Sequence, residues 1–180
     1  RYHASVQTLM NSLPALVASA DDENVAQMER HCLEQGVPAE LAALISRLDF
    51  AAAFFDIAEL AEEGQLDREV VAANYFQLGK ALELDWLRDA ITRLPRDNRW
   101  QSLARSALRD DLYRMHRGLT EKALACEACQ DGRFASHWLA NRQEELELCH
   151  QMLIELRAYP ALDLAMLSAG MRELSNRMMV

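Results

Sequence analysis

The stretch NRWQSLARSALRDDLYRMHRGLTEKALACEAC, residues 98–129, predicts one long amphipathic helix, which we call the spine helix. Its apolar residues recur in steps of three and four and so share one face. They are Trp100, Leu103, Ala104, Ala107, Leu108, Leu112, Met115, Leu119 and Ala123. Opposite charges four residues apart, as in Asp110 and Arg114, support the helix from its solvated side. At ~1.5 Å per residue the spine helix is about 45 Å long, so other helices are expected to pack along it.

A second long helical pattern follows the spine helix after the turn-forming pair Asp131 and Gly132. It covers residues 134–157 and ends before Pro160, and residues 162–177 predict a last helix. Because the connecting turn is short, the second helix is expected to run antiparallel to the first. The two long helices together predict a long antiparallel helical hairpin.

The first ninety-five residues predict shorter helices. Asp21 or Asp22 can cap a helix that stops at Gly36, and a break is expected near Asp49. Gly79 is expected to let a neighbouring residue approach closely. The expected helices are residues 2–13, residues 23–35, one from Pro38 to about Asp49, residues 50–63, one after Asp67, and residues 85–94.

The fold class predicted from these patterns is all-α, a bundle of about seven or eight helices. No run of residues alternates apolar and polar side chains with a period of two, so no strand is predicted. We expect residues 1–180 to form a single helical domain. In it, residues 1–95 make a short-helix bundle, and residues 96–180 make the long hairpin with a terminal helix.

The charge of the chain argues against some classes of partner. The net charge is −9, and residues 1–70 carry all of it, with thirteen acidic residues and four arginines; residues 71–180 carry fifteen of each sign. This acidic balance disfavours nucleic acid and anionic membranes as partners. The longest apolar run, residues 50–55, is far too short to span a bilayer. Four cysteines without a regular framework indicate reduced thiols, and we expect a cytoplasmic protein.

Several segments together resemble the C-terminal region of the large bacterial NAD-specific glutamate dehydrogenases, most strongly over residues 50–124. These segments are Phe54 to Glu59, Tyr75 to Gly79, Leu84 to Leu87, Leu94-Pro95, Trp100-Gln101, Ala104-Arg105 and Ala107 to Tyr113. The chain begins with Arg1 rather than Met. We therefore expect a C-terminal fragment of a larger protein.

The resemblance implies a function for the full-length protein: conversion of L-glutamate, NAD and water into 2-oxoglutarate, ammonia and NADH. In this family the catalytic and NAD-binding residues lie upstream, so the resemblance implies no such residue and no cofactor here. The expected role is packing against the upstream catalytic domain, assembly of a homo-oligomer, or regulation. The alternative is an independent helical module that binds another protein.

The pair Cys126 and Cys129 is the first candidate for redox or metal chemistry. It lies near the end of a helix, where the dipole disfavours a thiolate. A zinc site would need two more ligands, and His137, Cys149 and His150 are available only if the hairpin folds back suitably. We therefore favour two packed thiols.

Two acidic motifs also invite a metal interpretation. Glu147-x-x-His150 has the spacing of half a di-iron site, but the sequence has no second copy, so we expect the motif to be a solvated helix surface. Asp110 and Asp111 are adjacent on a helix and point about 100° apart. Pairing with Arg114, or with an arginine of a neighbouring helix, is the favoured role, and Asp111 is expected to make a structural contact to another helix.

The remaining candidates favour packing over chemistry. No obvious nucleophile accompanies the histidines, and no Gly-x-Gly-x-x-Gly turn is present to bind a dinucleotide. The tryptophans are expected to anchor the core. The residues concerned are His3, His31, His116 and His137, and Trp86, Trp100 and Trp138. We predict no catalytic, cofactor-binding or metal-binding residue in this chain.

Overall fold

A computed structural model describes the backbone of residues 22–126 and 131–179, with the side chains of residues 26, 29–42, 53–126 and 131–179. All regular structure in these ranges is helical, which confirms the all-α prediction. The eight helices are α1 (Asp22–Glu34), α2 (Ala39–Gly64), α3 (Arg68–Ala81), α4 (Leu84–Arg93), α5 (Arg99–Leu124), α6 (Phe134–Ala140), α7 (Gln143–Ala158) and α8 (Leu164–Met179). The helix expected at residues 2–13 and Cys129 lie outside the described residues.

The chain divides into two compact units between Phe76 and Gln77, within α3. In the first unit α1 packs on α2. Its core includes Phe54, Ile57 and Tyr75, and the Tyr75 hydroxyl donates to Asp56 Oδ2 at 3.2 Å. The division does not coincide with the internal boundary expected near residue 95. The expectation of a single domain stays a prediction.

The second unit is arranged around α5, the spine helix. Helices α4, α6 and α8 pack on α5, and α8 also contacts α4 and α7. Leucines supply much of this core because they fill interhelical space with few rotamers. Its fully buried leucines include Leu82, Leu87, Leu119, Leu153, Leu167 and Leu174.

The spine helix has the predicted start and part of the predicted buried face. Asn98 caps α5, and its side chain accepts a hydrogen bond from the Gln101 amide. Leu112 is 2% exposed, but Trp100 is 76% exposed and Leu103 is 49% exposed, so their assignment to the buried face was wrong. At about 100° per residue, Leu103 lies on the opposite side of the helix from Leu112. Apolar residues spaced three and four apart along α5 therefore lie on two different faces of the helix and not on one.

The predicted long helix over residues 134–157 is two helices in the structure, α6 and α7. The break falls at Asn141 and Arg142, and asparagine has a low helix propensity. The guanidinium of Arg142 covers the ring of Trp138, with Cζ 4.6 Å from the ring centroid. The long antiparallel hairpin is therefore not confirmed.

The opposite error occurs in the first unit. The break expected near Asp49 is wrong, because α2 continues from Ala39 to Gly64. An aspartate inside a helix costs only about 0.5 kcal/mol, which a long run rich in alanine and leucine offsets. The predicted end at Gly64 is confirmed, although the left-handed residue is Gln65, at φ 51°.

No helix in the described ranges is both long and apolar enough to cross a bilayer.

Candidate functional site

The corner between α3 and α4 combines backbone strain with a cluster of polar contacts. Glu83 occupies this corner with φ 53° and ψ 37°, in the left-handed region that glycine prefers. The strain costs of order 1–2 kcal/mol for a residue with a Cβ atom. The flanking residues Leu82 and Leu84 are buried, which fixes the corner against the core of the second unit. Strain held in this way identifies the corner as a candidate functional site.

Two side chains of α7 hold the corner from outside. His150 Nε2 donates a hydrogen bond to the Ala81 carbonyl oxygen at 2.8 Å. Arg157 forms an ion pair with the Glu83 carboxylate, and its Cζ lies 4.8 Å from the centroid of the Trp86 ring. His150 and Arg157 are seven residues apart, about two helical turns, and therefore share one face of α7. Helix α7 is thus fastened to the corner at two points.

The geometry of this cluster favours a structural role, attachment of α7 to the corner, over proton transfer. The ring nitrogen that faces the Ala81 carbonyl must carry the proton, so in the neutral ring Nε2 has no free lone pair. The same nitrogen is 4.0 Å from Glu83 Oε1, whose carboxylate is already paired with Arg157. A partly exposed ion pair of this kind contributes up to about 1 kcal/mol, and the arginine over the indole adds roughly 0.5–1 kcal/mol.

The cysteine candidates do not form a site within the described ranges. Cys126 is half-buried, and Cys149 is buried in α7. Burial raises the pKa of the Cys149 thiol, which disfavours the reactive thiolate. Among the residues that the structure describes, no three His, Cys, Asp or Glu side chains come together as metal ligands. The absence of metal and redox function in the whole chain stays a prediction.

The acidic candidates are only partly as expected. Asp111 pairs with Arg114 on its own helix, with 2.8 Å between Oδ1 and Nη2, which confirms the pairing with Arg114. The side chain of Asp111 is half exposed, and its predicted contact with another helix stays a prediction. In the Glu147-x-x-His150 motif, Glu147 is exposed. The expectation that the whole motif is a solvated surface fails for His150, which binds the Ala81 carbonyl.

His116 is buried in the second unit and explains the glycine at position 79. A Cβ atom built on Gly79 would lie 3.0 Å from His116 Cε1 and 3.3 Å from its Nε2. The expected close approach at Gly79 is therefore confirmed. His31 and His137 are exposed, and His3 lies outside the described residues.

The tryptophans divide between core and surface. Trp138 is buried, as predicted, and Trp86 packs against the core while its ring supports Arg157. Trp100 alone of the three is largely exposed.

The turn before α6 holds an aspartate in its charged form. Asp131 Oδ1 accepts a hydrogen bond from the Arg133 amide at 3.0 Å, and Oδ2 lies 3.2 Å from Arg133 Nε and 3.6 Å from His137 Nε2. The amide hydrogen bond, followed by the His137 contact, lowers the pKa of Asp131. This turn resembles an Asx turn that starts a helix.

The corner residues were missed from the sequence. No sequence rule predicts that a glutamate, rather than glycine or asparagine, adopts the left-handed conformation at position 83. The only available signal was the seven-residue spacing of His150 and Arg157, which places both on one face of a helix.

Comparison with known proteins decides the family. The sequence profile of "Glutamate dehydrogenase, C-terminal" matches residues 1–176. The chain belongs to this glutamate dehydrogenase C-terminal family. An NAD-specific glutamate dehydrogenase of Pseudomonas aeruginosa is 36% identical over 149 residues, which is 80% of this chain and 9% of the relative. One of Mycobacterium tuberculosis is 31% identical over 176 residues, 97% of this chain and 11% of the relative.

A third relative, the NAD-specific glutamate dehydrogenase of Halomonas elongata, is 26% identical over 119 residues, or 66% of this chain and 7% of the relative. The chain thus spans about a tenth of the length of the relatives that it matches. The recognised resemblance to this family is confirmed.

Proposed function

We propose that this chain is a non-catalytic, C-terminal helical domain of an NAD-dependent glutamate dehydrogenase. The full-length enzyme would oxidise L-glutamate with NAD and water to 2-oxoglutarate, ammonia and NADH, in the cytoplasm and as a homo-oligomer. The domain itself would pack against the upstream catalytic domain, and through that contact it would support assembly or regulation.

The family match over residues 1–176 carries the proposal. The geometry agrees with it in two ways. The described residues contain helices but no parallel strands, on which a Rossmann dinucleotide site depends. The polar side chains best placed for chemistry, His150 and Glu83, are engaged with the Ala81 carbonyl and with Arg157.

The non-catalytic role is tested by hydride transfer in the full-length enzyme. We expect His150→Gln and Asp111→Asn to leave the single-turnover rate of NADH formation within about twofold of the parent. Removal of a general acid or base typically costs 10²–10⁴-fold. A loss of about 100-fold or more, with NAD binding and the folded state unchanged, would mean that this domain supplies a catalytic group.

The packing role is tested by removing the domain. We compare the full-length enzyme with a chain that stops before Arg1 and measure NAD binding, thermal unfolding and molar mass in solution. We expect the shortened enzyme to bind NAD while its unfolding temperature or its oligomeric state falls. Unchanged stability, assembly and activity would instead favour an independent module that binds another protein.

A further inference from the structure

The first turns of α5 present an apolar face that no described residue covers. Trp100 is 76% exposed and Leu103 is 49% exposed, and Ala107 continues the same side of the helix one turn later. At about 100° per residue these three side chains fall within about 60° of one another, away from the buried face at Leu112. A single exposed leucine is ordinary, but a largely exposed tryptophan beside it is the composition of a binding anchor.

This face is held rigidly. The Asn98 side chain accepts from the Gln101 amide at 3.0 Å, and the Gln101 side chain accepts at 2.8 Å from the amide of Asp97, one residue before the cap, an arrangement similar to a capping box. Arg105 Nη1 donates to the Thr92 carbonyl oxygen at 2.9 Å and ties α5 to the end of α4. The backbone beneath Trp100 is therefore already ordered before any partner binds, which lowers the entropy lost on binding.

Positive charge predominates around the amino-terminal part of the face, whereas Asp110 and Asp111 lie beside its carboxyl-terminal end. Residues 93–109 contain five arginines and one aspartate, a net charge of +4 within a chain of net charge −9. The side chains of Arg93, Arg96 and Arg99 are exposed. A partner that matches this surface would place carboxylates around an apolar centre.

We propose that the face formed by Trp100, Leu103 and Ala107 docks onto an acidic, apolar-centred surface of the upstream part of the same polypeptide. This inference rests on the proposed function, and it names the surface through which the domain packs. The matched relatives are about ten times longer than this chain, so the partner would be covalently linked to it.

The size of the face favours a linked partner over a second copy. Stable association of separate proteins usually buries ~800 Å² on each partner, more than three side chains of two helical turns provide. A linked partner is held at an effective concentration of the order of mM, so a small face suffices.

Photo-crosslinking in the full-length enzyme tests the proposal. A photoreactive benzophenone amino acid is placed at position 100, and at position 154 as a control. Ile154 is also apolar, 60% exposed and on a helix of the same unit, but that helix, residues 143–158, contains four glutamates and one arginine. After irradiation, denaturing electrophoresis separates adducts within one chain from adducts between chains, and mass spectrometry identifies the crosslinked peptide.

We expect position 100 to give an adduct at the mass of a single chain, on a peptide upstream of Arg1, in at least fivefold higher yield than position 154. Arg99→Glu should lower this yield about threefold or more, whereas Arg172→Glu, an exposed charge reversal on α8, should not. A glutamate in the first turn is favourable to the helix dipole, so Arg99→Glu does not weaken α5.

Other results would overturn the docking proposal. An adduct at twice the chain mass would assign the face to a second copy, and an adduct on residues 1–76 would assign it to packing within this chain. A yield no higher than at position 154 would leave the face without a linked partner. None of these results bears on the proposed non-catalytic role, which is tested separately by measuring hydride transfer and by removing the domain.

Discussion

Substitution of Leu112 by alanine tests which side of α5 is core. Leu112 is 2% exposed in the second unit, so Leu112→Ala removes apolar atoms that are wholly out of water. Their transfer alone accounts for roughly 2 kcal/mol at about 0.8 kcal/mol per carbon, and the cavity that remains adds to it. We expect Leu112→Ala to lower the free energy of unfolding by about 2.5–4 kcal/mol. For a unit of this size the midpoint temperature should fall by about 10 °C or more.

Leu103→Ala is the matched control, because it makes the same chemical change nine residues earlier on the same helix. Leu103 is 49% exposed, so its loss should cost less than about 1 kcal/mol in the isolated chain. Urea unfolding followed by circular dichroism at 222 nm measures both variants. If the two substitutions cost the same within about 0.5 kcal/mol, the assignment of the two faces of α5 is refuted.

Two further predictions concern backbone strain and pH. Gln65→Gly relieves the strain of the left-handed conformation and should raise the free energy of unfolding by about 0.5–1 kcal/mol. Glu83→Gly should raise it by less, because this variant also loses the ion pair with Arg157. Urea unfolding measures both variants. The lowered pKa of Asp131 means that its charged form stabilises the fold above the unfolded pKa and that this contribution is lost as pH falls through the folded pKa. A carboxyl ¹³C NMR titration should therefore give Asp131 a lower pKa in the folded chain than in urea. Asp131→Asn should destabilise the chain at pH 7 but not at the lowest pH. Equal titration midpoints in the folded and unfolded chains would contradict this prediction.

Much of the helical framework was predictable because local signals and the final packing agree. Asn98 is a strong capping residue, and it caps α5; the helix that ends before Gly36 stops where glycine reaches φ 80°. Gly79 was recognised as a position of close approach, although only the structure identifies His116 as the neighbour. In each case one residue type has a physical property that few others share.

The errors arose where weak local preferences decide nothing by themselves. Asp49 does not break α2, while Asn141 and Arg142 do separate α6 from α7, and intrinsic propensities of a few tenths of a kcal/mol cannot distinguish these outcomes. Trp100 was placed in the core because periodicity shows only that apolar residues share a side, and contacts with other helices decide which side is buried.

The candidate site at the corner was beyond sequence reasoning for a related reason. Glu83 and Arg157 meet across seventy-four positions of the chain, and neither residue carries a motif. Their contact depends on the path of α7, which in turn depends on the missed break before it. A mistake in one helix boundary therefore concealed a long-range pair.

The two contacts that attach α7 to the corner between α3 and α4 respond differently to ionic strength. The contact between Arg157 and Glu83 joins opposite full charges at partial exposure, so dissolved salt weakens it. The bond from His150 to the Ala81 carbonyl involves a neutral acceptor and is far less sensitive to screening. In concentrated salt the Arg157 contact at the carboxyl end of α7 should thus weaken first, while the His150 bond and the fully buried Leu153 keep the helix attached to the core.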